Sequence, residues 1–301
     1  MVVQPDFDSQ FIVQIISTER IIRSKNLEAK LTEFGLNFRI SPGVVPNEIE
    51  FHDGSLHSPF LSKLLCQREL SIGEVGCAIA HRNTINNFLN SDRKFGFIFE
   101  DDAEVIADFN FDVVVKLLDS NQPVIIALGW IPGFAIAKSS QFHLSEDTIE
   151  LATAPTCAFA YAINRPAAKL MLTGHEKIVD LADWPIFTLN KVRFYATRSP
   201  WVTANHDPKF SIIGLRSAPV SKSPARVLVS RIRLGTYLVT LMILSKAKIL
   251  DVSPKQIVHQ LLIRGLLHRH GVSQVTEKLT KNEVIPLPAK FRKLLTLLKV
   301  N

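Results

Sequence analysis

The sequence predicts an α/β protein with a mostly parallel central sheet flanked by helices, followed by a basic helical C-terminal extension. Two observations carry the first part. Short apolar runs such as Phe11 to Ile16, Phe95 to Phe99 and Val124 to Leu128 read as buried strands, and segments with helical periodicity and capping signals stand between them. The third observation is charge. Up to Leu215 the chain has 19 Lys and Arg against 25 Asp and Glu, and from Arg216 onward it has 16 against 3. The expected division is a catalytic domain over 1–215 and a basic helical region over 216–301.

Composition is that of a globular protein: 301 residues, 47% hydrophobic, with 13 Gly and 16 Pro, enough to bury a sizeable core. Cys66, Cys77 and Cys157 share no C-x-x-C spacing, so neither a disulfide framework nor a zinc knuckle is expected, and all three read as small buried residues. Met1 to Ser9 carries Asp6 and Asp8 and lacks a basic segment before an apolar core, which predicts a cytoplasmic protein.

In order, Phe11 to Ile16 is the first strand, continuous in apolar character apart from Gln14. The loop after it holds Arg20 and Arg23, whose guanidinium groups suit bidentate pairing with a diphosphate; solvated residues on a helix starting near Thr18 are the other reading. Asn26 to Phe34 continues as a helix and Leu36 to Ile40 as the second strand, a βαβ beginning. Ser41 to Leu70, with Pro42, Pro46, Pro59, Gly43 and Gly54, reads as a loop-rich insertion.

Ser71 and Glu74 then form an S-x-x-E capping box, so a helix starts there. Val75, Ala78, Ile79, Ile85, Phe88 and Leu89 give it one apolar stripe and leave Glu74, His81 and Arg82 off it. Phe95 to Phe99 follows as a strand that delivers Glu100, Asp101 and Asp102 at its C-terminal end. Ligands of open α/β sheets bind outside the carboxyl ends of strands, and carboxylates there suit Mn²⁺ or Mg²⁺. A solvated acidic turn is the alternative.

Phe111 to Ser120 reads as a helix and Val124 to Leu128 as a strand, with a sharp turn at Gly129 to Gly133 that sets Trp130 either near a ligand or in the core. Residues 134–154 read as an antiparallel excursion, Cys157 to Asn164 as a strand, and Arg165-Pro166 as a helix start. Asp180 and Asp183 lie in VDLADWPIF. Each reads either as a general base or as an N-cap. Phe194 to Thr197 and Pro200 to Thr203 are strand pieces ending in Asn205-His206-Asp207, where His206 is a candidate Mn²⁺ ligand.

Ser217 to Pro224 reads as a linker. Beyond it the uncharged run Leu234 to Ser245 is 12 residues long, short of the roughly 20 needed to cross a bilayer. A basic apolar helix of this kind either lies in the headgroup plane of an anionic membrane or packs as an ordinary helical subdomain. No P-loop, G-x-G-x-x-G, H-E-x-x-H or G-x-S-x-G occurs, which removes the commonest nucleotide-hydrolase, dehydrogenase, zincin and serine-hydrolase readings.

GEVGCAIAH, followed after a spacer by FIFEDDAEV, resembles glycosyltransferase family 25, the lipooligosaccharide galactosyltransferase-like enzymes. Thr156 to Arg165 with the trailing Ala167-Ala168 is similar to the family's G-T-x-x-Y-x-I-S-R segment, and Val179-Asp180 to its V-D pair. The likeness covers about residues 10–215. Ala80-His81 replaces the usual Ser-His, and no Gly precedes Thr156.

This resemblance implies a GT-A-like, Rossmann-related fold and an inverting, metal-dependent hexosyltransferase. Its donor is a nucleotide sugar, UDP-galactose, and its acceptor a lipid-linked saccharide such as lipooligosaccharide. It implies Mn²⁺ or Mg²⁺ on Glu100 and Asp102, with His206 beside them, and Asp180 as base with Asp183 second. Donor contacts are expected from Arg20, Arg23, Glu74, His81, Asp101 and Thr156. The basic region would hold the enzyme peripherally on the inner face of the cytoplasmic membrane; nucleic acid is not the expected partner. Two other classes compete: a metal-dependent phosphodiesterase or nuclease, and a non-enzymatic membrane-associated binding protein.

Overall fold

The computed structural model describes residues 7–18, 24–45, 56–66, 69–130, 147–151, 154–155, 157–179, 181–182, 184–185 and 191–205. Arg20, Arg23, Thr156, Asp180, Asp183, His206 and the region from 206 on lie outside the described residues, as does the side chain of Cys66.

A short helix α1 (Phe7–Gln10) leads into strand β1 (Phe11–Ser17). Helix α2 (Lys25–Glu33) and strand β2 (Phe38–Pro42) complete a βαβ unit, β2 pairing parallel with β1. The insertion that follows contains a helix, α3 (Pro59–Cys66). Its prolines suggested loop, but Pro59 stands in the first turn, where a missing N–H costs nothing, and Ser58 Oγ accepts from the Leu61 amide at 3.3 Å.

Helix α4 (Ile72–Leu89) begins with the expected capping box: Glu74 N donates to Ser71 Oγ at 3.3 Å, and Ser71 N donates to Glu74 Oε2 at 2.8 Å. Strands β3 (Phe95–Glu100) and β4 (Ala103–Val105), helix α5 (Phe111–Leu118) and strands β5 (Val124–Ala127), β6 (Thr148–Leu151) and β7 (Ala160–Asn164) come next. Helix α6 (Arg165–Gly174) and strands β8 (Arg193–Thr197) and β9 (Val202–Ala204) complete the described elements.

The main sheet has the order β2-β1-β3-β7-β5-β8-β6. It is mostly parallel: β2, β1, β3, β5 and β8 run one way, and β7 and β6 run against them. β6 is an antiparallel strand within the excursion expected over residues 134–154, of which 147–151 and 154 are described. β4 and β9 form a separate antiparallel pair.

Alternation along the strands divides the core between two faces of the sheet. Phe11, Val13, Ile15, Phe95, Phe97 and Phe99 point to one face, where Leu27 and Leu31 of α2 and Val114 and Leu118 of α5 cover them. Ile12, Ile16 and Ile98 point to the other, under Ile85 and Phe88 of α4 and Ala167, Ala168 and Met171 of α6. Gly96 lets α4 approach: a Cβ there would meet the Phe88 ring at 3.2 Å and Ile163 at 3.3 Å.

Gln14, the polar exception in β1, is buried and donates from Nε2 to the Thr84 carbonyl of α4 at 3.0 Å. It fixes the helix on the sheet while satisfying its own amide. Asn164 ties β7 to its surroundings. Its Oδ1 caps α6 through Ala167 N at 3.1 Å and accepts from Val124 N at 3.0 Å. Its Nδ2 donates to the carbonyls of Leu118, Ser120 and Gln122.

The single-stripe reading of α4 needs correction. Glu74 and His81, expected off the apolar face, are buried at 4% and 1% exposure. The cause is that α4 is covered on two sides: Ala80, Ile85 and Phe88 pack toward the sheet, while Val75 and Ala78 pack against Leu70, Ile178 and Ala182.

Candidate active site

The parallel register sets Ile16 of β1 beside Glu100 of β3. Both strands therefore deliver their C-terminal loops at one edge of the sheet, the edge where open α/β sheets bind ligands. Glu100 is the last residue of β3, and Asp101 and Asp102 form the turn into β4.

Each acidic residue is tied differently. Glu100 Oε1 lies 3.1 Å from Nε2 of His81, and Nδ1 of the same ring lies 3.1 Å from the hydroxyl of Tyr161. A carboxylate only accepts, so Nε2 carries the proton that faces Glu100; in the neutral ring Nδ1 then accepts from the phenol. Tyr161 is fully buried, and burial, followed by the charges of Glu100 and Cys77, raises its pKa well above the usual phenol value. It therefore keeps its proton. Its ring is wedged edge-on against Trp184 at 5.3 Å, which fixes the position of the hydroxyl.

Asp101 is 8% exposed, and its Oδ2 accepts from Ser17 Oγ at 3.2 Å, a bond from the end of β1 to the turn after β3. Asp102 is half-buried, and its carbonyl accepts from the Asn205 amide at 2.8 Å. Asn205 Nδ2 also donates to Glu104 Oε1 at 2.8 Å. The acidic turn is thus braced from behind by the exit of β9, at the residue before His206.

Glu74 and His81 have defined places. Glu74 closes the α4 cap, and His81 has both ring nitrogens engaged within the protein, so its effect at the sheet edge is exerted through Glu100. Trp130 is in the core, 7% exposed, donating from Nε1 to the Thr197 carbonyl at 3.0 Å. Among the described residues the structure brings together Glu100, Asp101, Asp102 and His81 from the expected set.

Two participants were not singled out from sequence. Tyr161 reaches His81 across 80 positions of chain, and only the family-like segment containing it signalled interest. Cys77, expected to be a buried packing residue, is half-buried and forms no disulfide among the described residues. Its sulfur, a His81 nitrogen and a Glu100 oxygen lie within 4.8 Å of one another. The C-x-x-x-H spacing on one helix face was the available signal.

No helix among the described residues is long and apolar enough to cross a membrane. No curated protein matches the sequence. Among solved structures, the chain is similar to A197 from STIV at 12% identity and a TM-score of 0.34, covering 71% of this chain and 98% of that one. It is also similar to a glycosyltransferase involved in the glycosylation of the major capsid of PBCV-1, at 7% identity and a TM-score of 0.29, covering 55% of this chain and 65% of that one. A third is mannose-1-phosphate geranyltransferase from Thermus thermophilus, at 10% identity and a TM-score of 0.34, covering 62% of this chain and 74% of that one. The decisive match is by sequence pattern: the profile of glycosyltransferase family 25 (LPS biosynthesis protein) matches residues 10–184. That span takes in the capped helix, the acidic turn and the Tyr161 strand, and the chain belongs to glycosyltransferase family 25.

Proposed function

We propose that this glycosyltransferase moves a hexose, galactose from UDP-galactose, onto a lipooligosaccharide or other lipid-linked saccharide, with inversion at the sugar carbon and dependence on Mn²⁺ or Mg²⁺. The observation that carries the reading is the acidic turn at the end of β3, with Glu100 oriented by a buried His81–Tyr161 pair.

The donor set fits a hard cation. Three carboxylates share one turn, and Glu100 is about one-quarter exposed with its second oxygen outside the His81 contact. Glu100 and Asp102 would hold the ion, with His206 joining them. When bound, it supplies Lewis-acid neutralisation of the departing diphosphate.

The protein's own groups do the remaining work. His81 holds Glu100 at the sheet edge, and Ser17 holds Asp101. Arg20 and Arg23 follow β1 in the chain and pair with the diphosphate oxygens; Thr156 precedes β7 and contacts the donor. Asp180 accepts the proton of the attacking hydroxyl, with Asp183 as second candidate.

The region 216–301 forms a basic helical extension that binds the anionic inner face of the cytoplasmic membrane, where a lipid-linked acceptor is presented. Its charge balance of 16 basic against 3 acidic residues supports this. The donor is tested by measuring release of nucleoside diphosphate from UDP-galactose, UDP-glucose and UDP-N-acetylhexosamines with Mn²⁺ present. UDP-galactose is expected to react fastest, and a clear preference for another donor rejects the galactosyl assignment.

A further inference from the structure

Beside the hard carboxylate set lies a cluster of different chemistry. Cys77 Sγ, a ring nitrogen of His81 and a carboxylate oxygen of Glu100 are all within 4.8 Å of one another. Cys77 and His81 are four residues apart on α4 and so share one face, and the close packing of α4 over β3 at Gly96 brings Glu100 to that face. Thiolate, imidazole and carboxylate are the three donor types that bind Zn²⁺, whereas Mn²⁺ and Mg²⁺ prefer oxygen alone.

Two further features fit a metal. His81 Nε2 and Glu100 Oε1 are 3.1 Å apart, close to the roughly 3.3 Å that separates two ligand atoms on a tetrahedral ion with bonds of about 2.0 Å. The other nitrogen of His81 meets the Tyr161 hydroxyl, the kind of outer partner that metal-bound imidazoles require.

We propose that Cys77, His81 and Glu100 form a site for a thiophilic divalent cation of the Zn²⁺ class. On binding, the Cys77 thiol releases its proton to solvent. The imidazole proton moves from Nε2 to Nδ1, and the Tyr161 hydroxyl rotates so that its oxygen accepts from Nδ1–H, which leaves Nε2 free to ligate. Three protein ligands leave a fourth position open to water or to a donor phosphate. Such an ion fastens Glu100 to α4 and withdraws it from the acidic turn, which makes Zn²⁺ an inhibitor of Mn²⁺-supported transfer. This last consequence rests on the role given to Glu100 under Proposed function; the binding site itself does not.

The test uses the full chain, stripped with chelator and titrated with Co²⁺ as a spectroscopic substitute. The expected result is a thiolate-to-cobalt charge-transfer band with visible tetrahedral bands, saturating at one equivalent and erased by one equivalent of Zn²⁺. Cys77→Ser is expected to lose the charge-transfer band and to weaken Zn²⁺ binding at least about tenfold, while Cys66→Ser and Cys157→Ser keep the band. Glu100→Gln is expected to keep the band and bind more weakly. Absence of the band in the wild type, or its persistence in Cys77→Ser, overturns the site. A cobalt band without Zn²⁺ inhibition of UDP-galactose turnover leaves the site standing and rejects instead the role given to Glu100.

Discussion

Glu100 and Tyr161 do not touch, yet both are bonded to the same buried imidazole, Glu100 at Nε2 and Tyr161 at Nδ1 of His81, each at 3.1 Å. The ring therefore transmits the position of a core phenol to a carboxylate at the sheet edge. With 1% of its side chain exposed against 26% for Glu100, His81 marks the boundary between core and site.

Replacing Tyr161 by Phe tests this transmission. The variant leaves Nδ1 buried without a donor and removes the contact that fixes the rotation of the ring, so Nε2–H holds Glu100 less firmly. A kcat loss of about 10- to 100-fold with little change in KM is expected, together with a loss of about 1–3 kcal/mol of stability from the unpaired nitrogen. Steady-state kinetics and urea unfolding separate the two. Wild-type kcat in a destabilised variant would make Tyr161 structural only.

Stability should fall on mild acidification because of His175. It is buried at 3% exposure, and neither ring nitrogen is hydrogen-bonded to a described residue. Burial, then the nearby His81 and Arg82, lowers its pKa to about 3, below the unfolded value near 6.5. Between those values the unfolded chain binds the proton and the folded chain does not. The stability is fully present above about pH 6.5 and is lost as pH falls toward 3, at up to about 1.4 kcal/mol per pH unit. Urea unfolding from pH 7.5 to pH 5 should show this slope, and His175→Leu should reduce it. An unchanged slope in the variant would assign the acid sensitivity elsewhere.

Much of the fold was legible because its signals are local. The Ser71–Glu74 capping box, the apolar strands and the Arg165-Pro166 helix start each depend on residues within a few positions of one another, and each is present. What was not legible depends on distant partners. Glu74 and His81 were placed off the apolar stripe because periodicity describes one helix face, whereas α4 is covered by both the sheet and the segment around Ile178 and Ala182. The pairing of β4 with β9 joins residues about a hundred positions apart, and the Ser17–Asp101 bond spans 84. The acidic turn was visible as a motif; what holds it was not.

The C-terminal region gives an independent prediction. Each Lys or Arg near an anionic surface contributes on the order of 1 kcal/mol, and the attraction decays within a Debye length of about 8 Å at physiological salt. The full chain should sediment with vesicles containing anionic lipid, less so at high salt. A chain ending near Ser217 should stay folded, hydrolyse donor and lose vesicle binding. Unfolding of the truncated chain, with no vesicle binding by the full one, would make the region part of the core.

The central claim is that the turn after β3 holds the catalytic cation, and Asp102→Asn addresses it most directly. The substitution removes one charge from a half-buried turn residue and keeps its shape, so the melting temperature should stay close to wild type. Mn²⁺-dependent release of UDP from UDP-galactose, measured alongside melting, is expected to be abolished in the folded variant. A folded Asp102→Asn protein that retains half of the wild-type Mn²⁺-dependent rate would contradict the account.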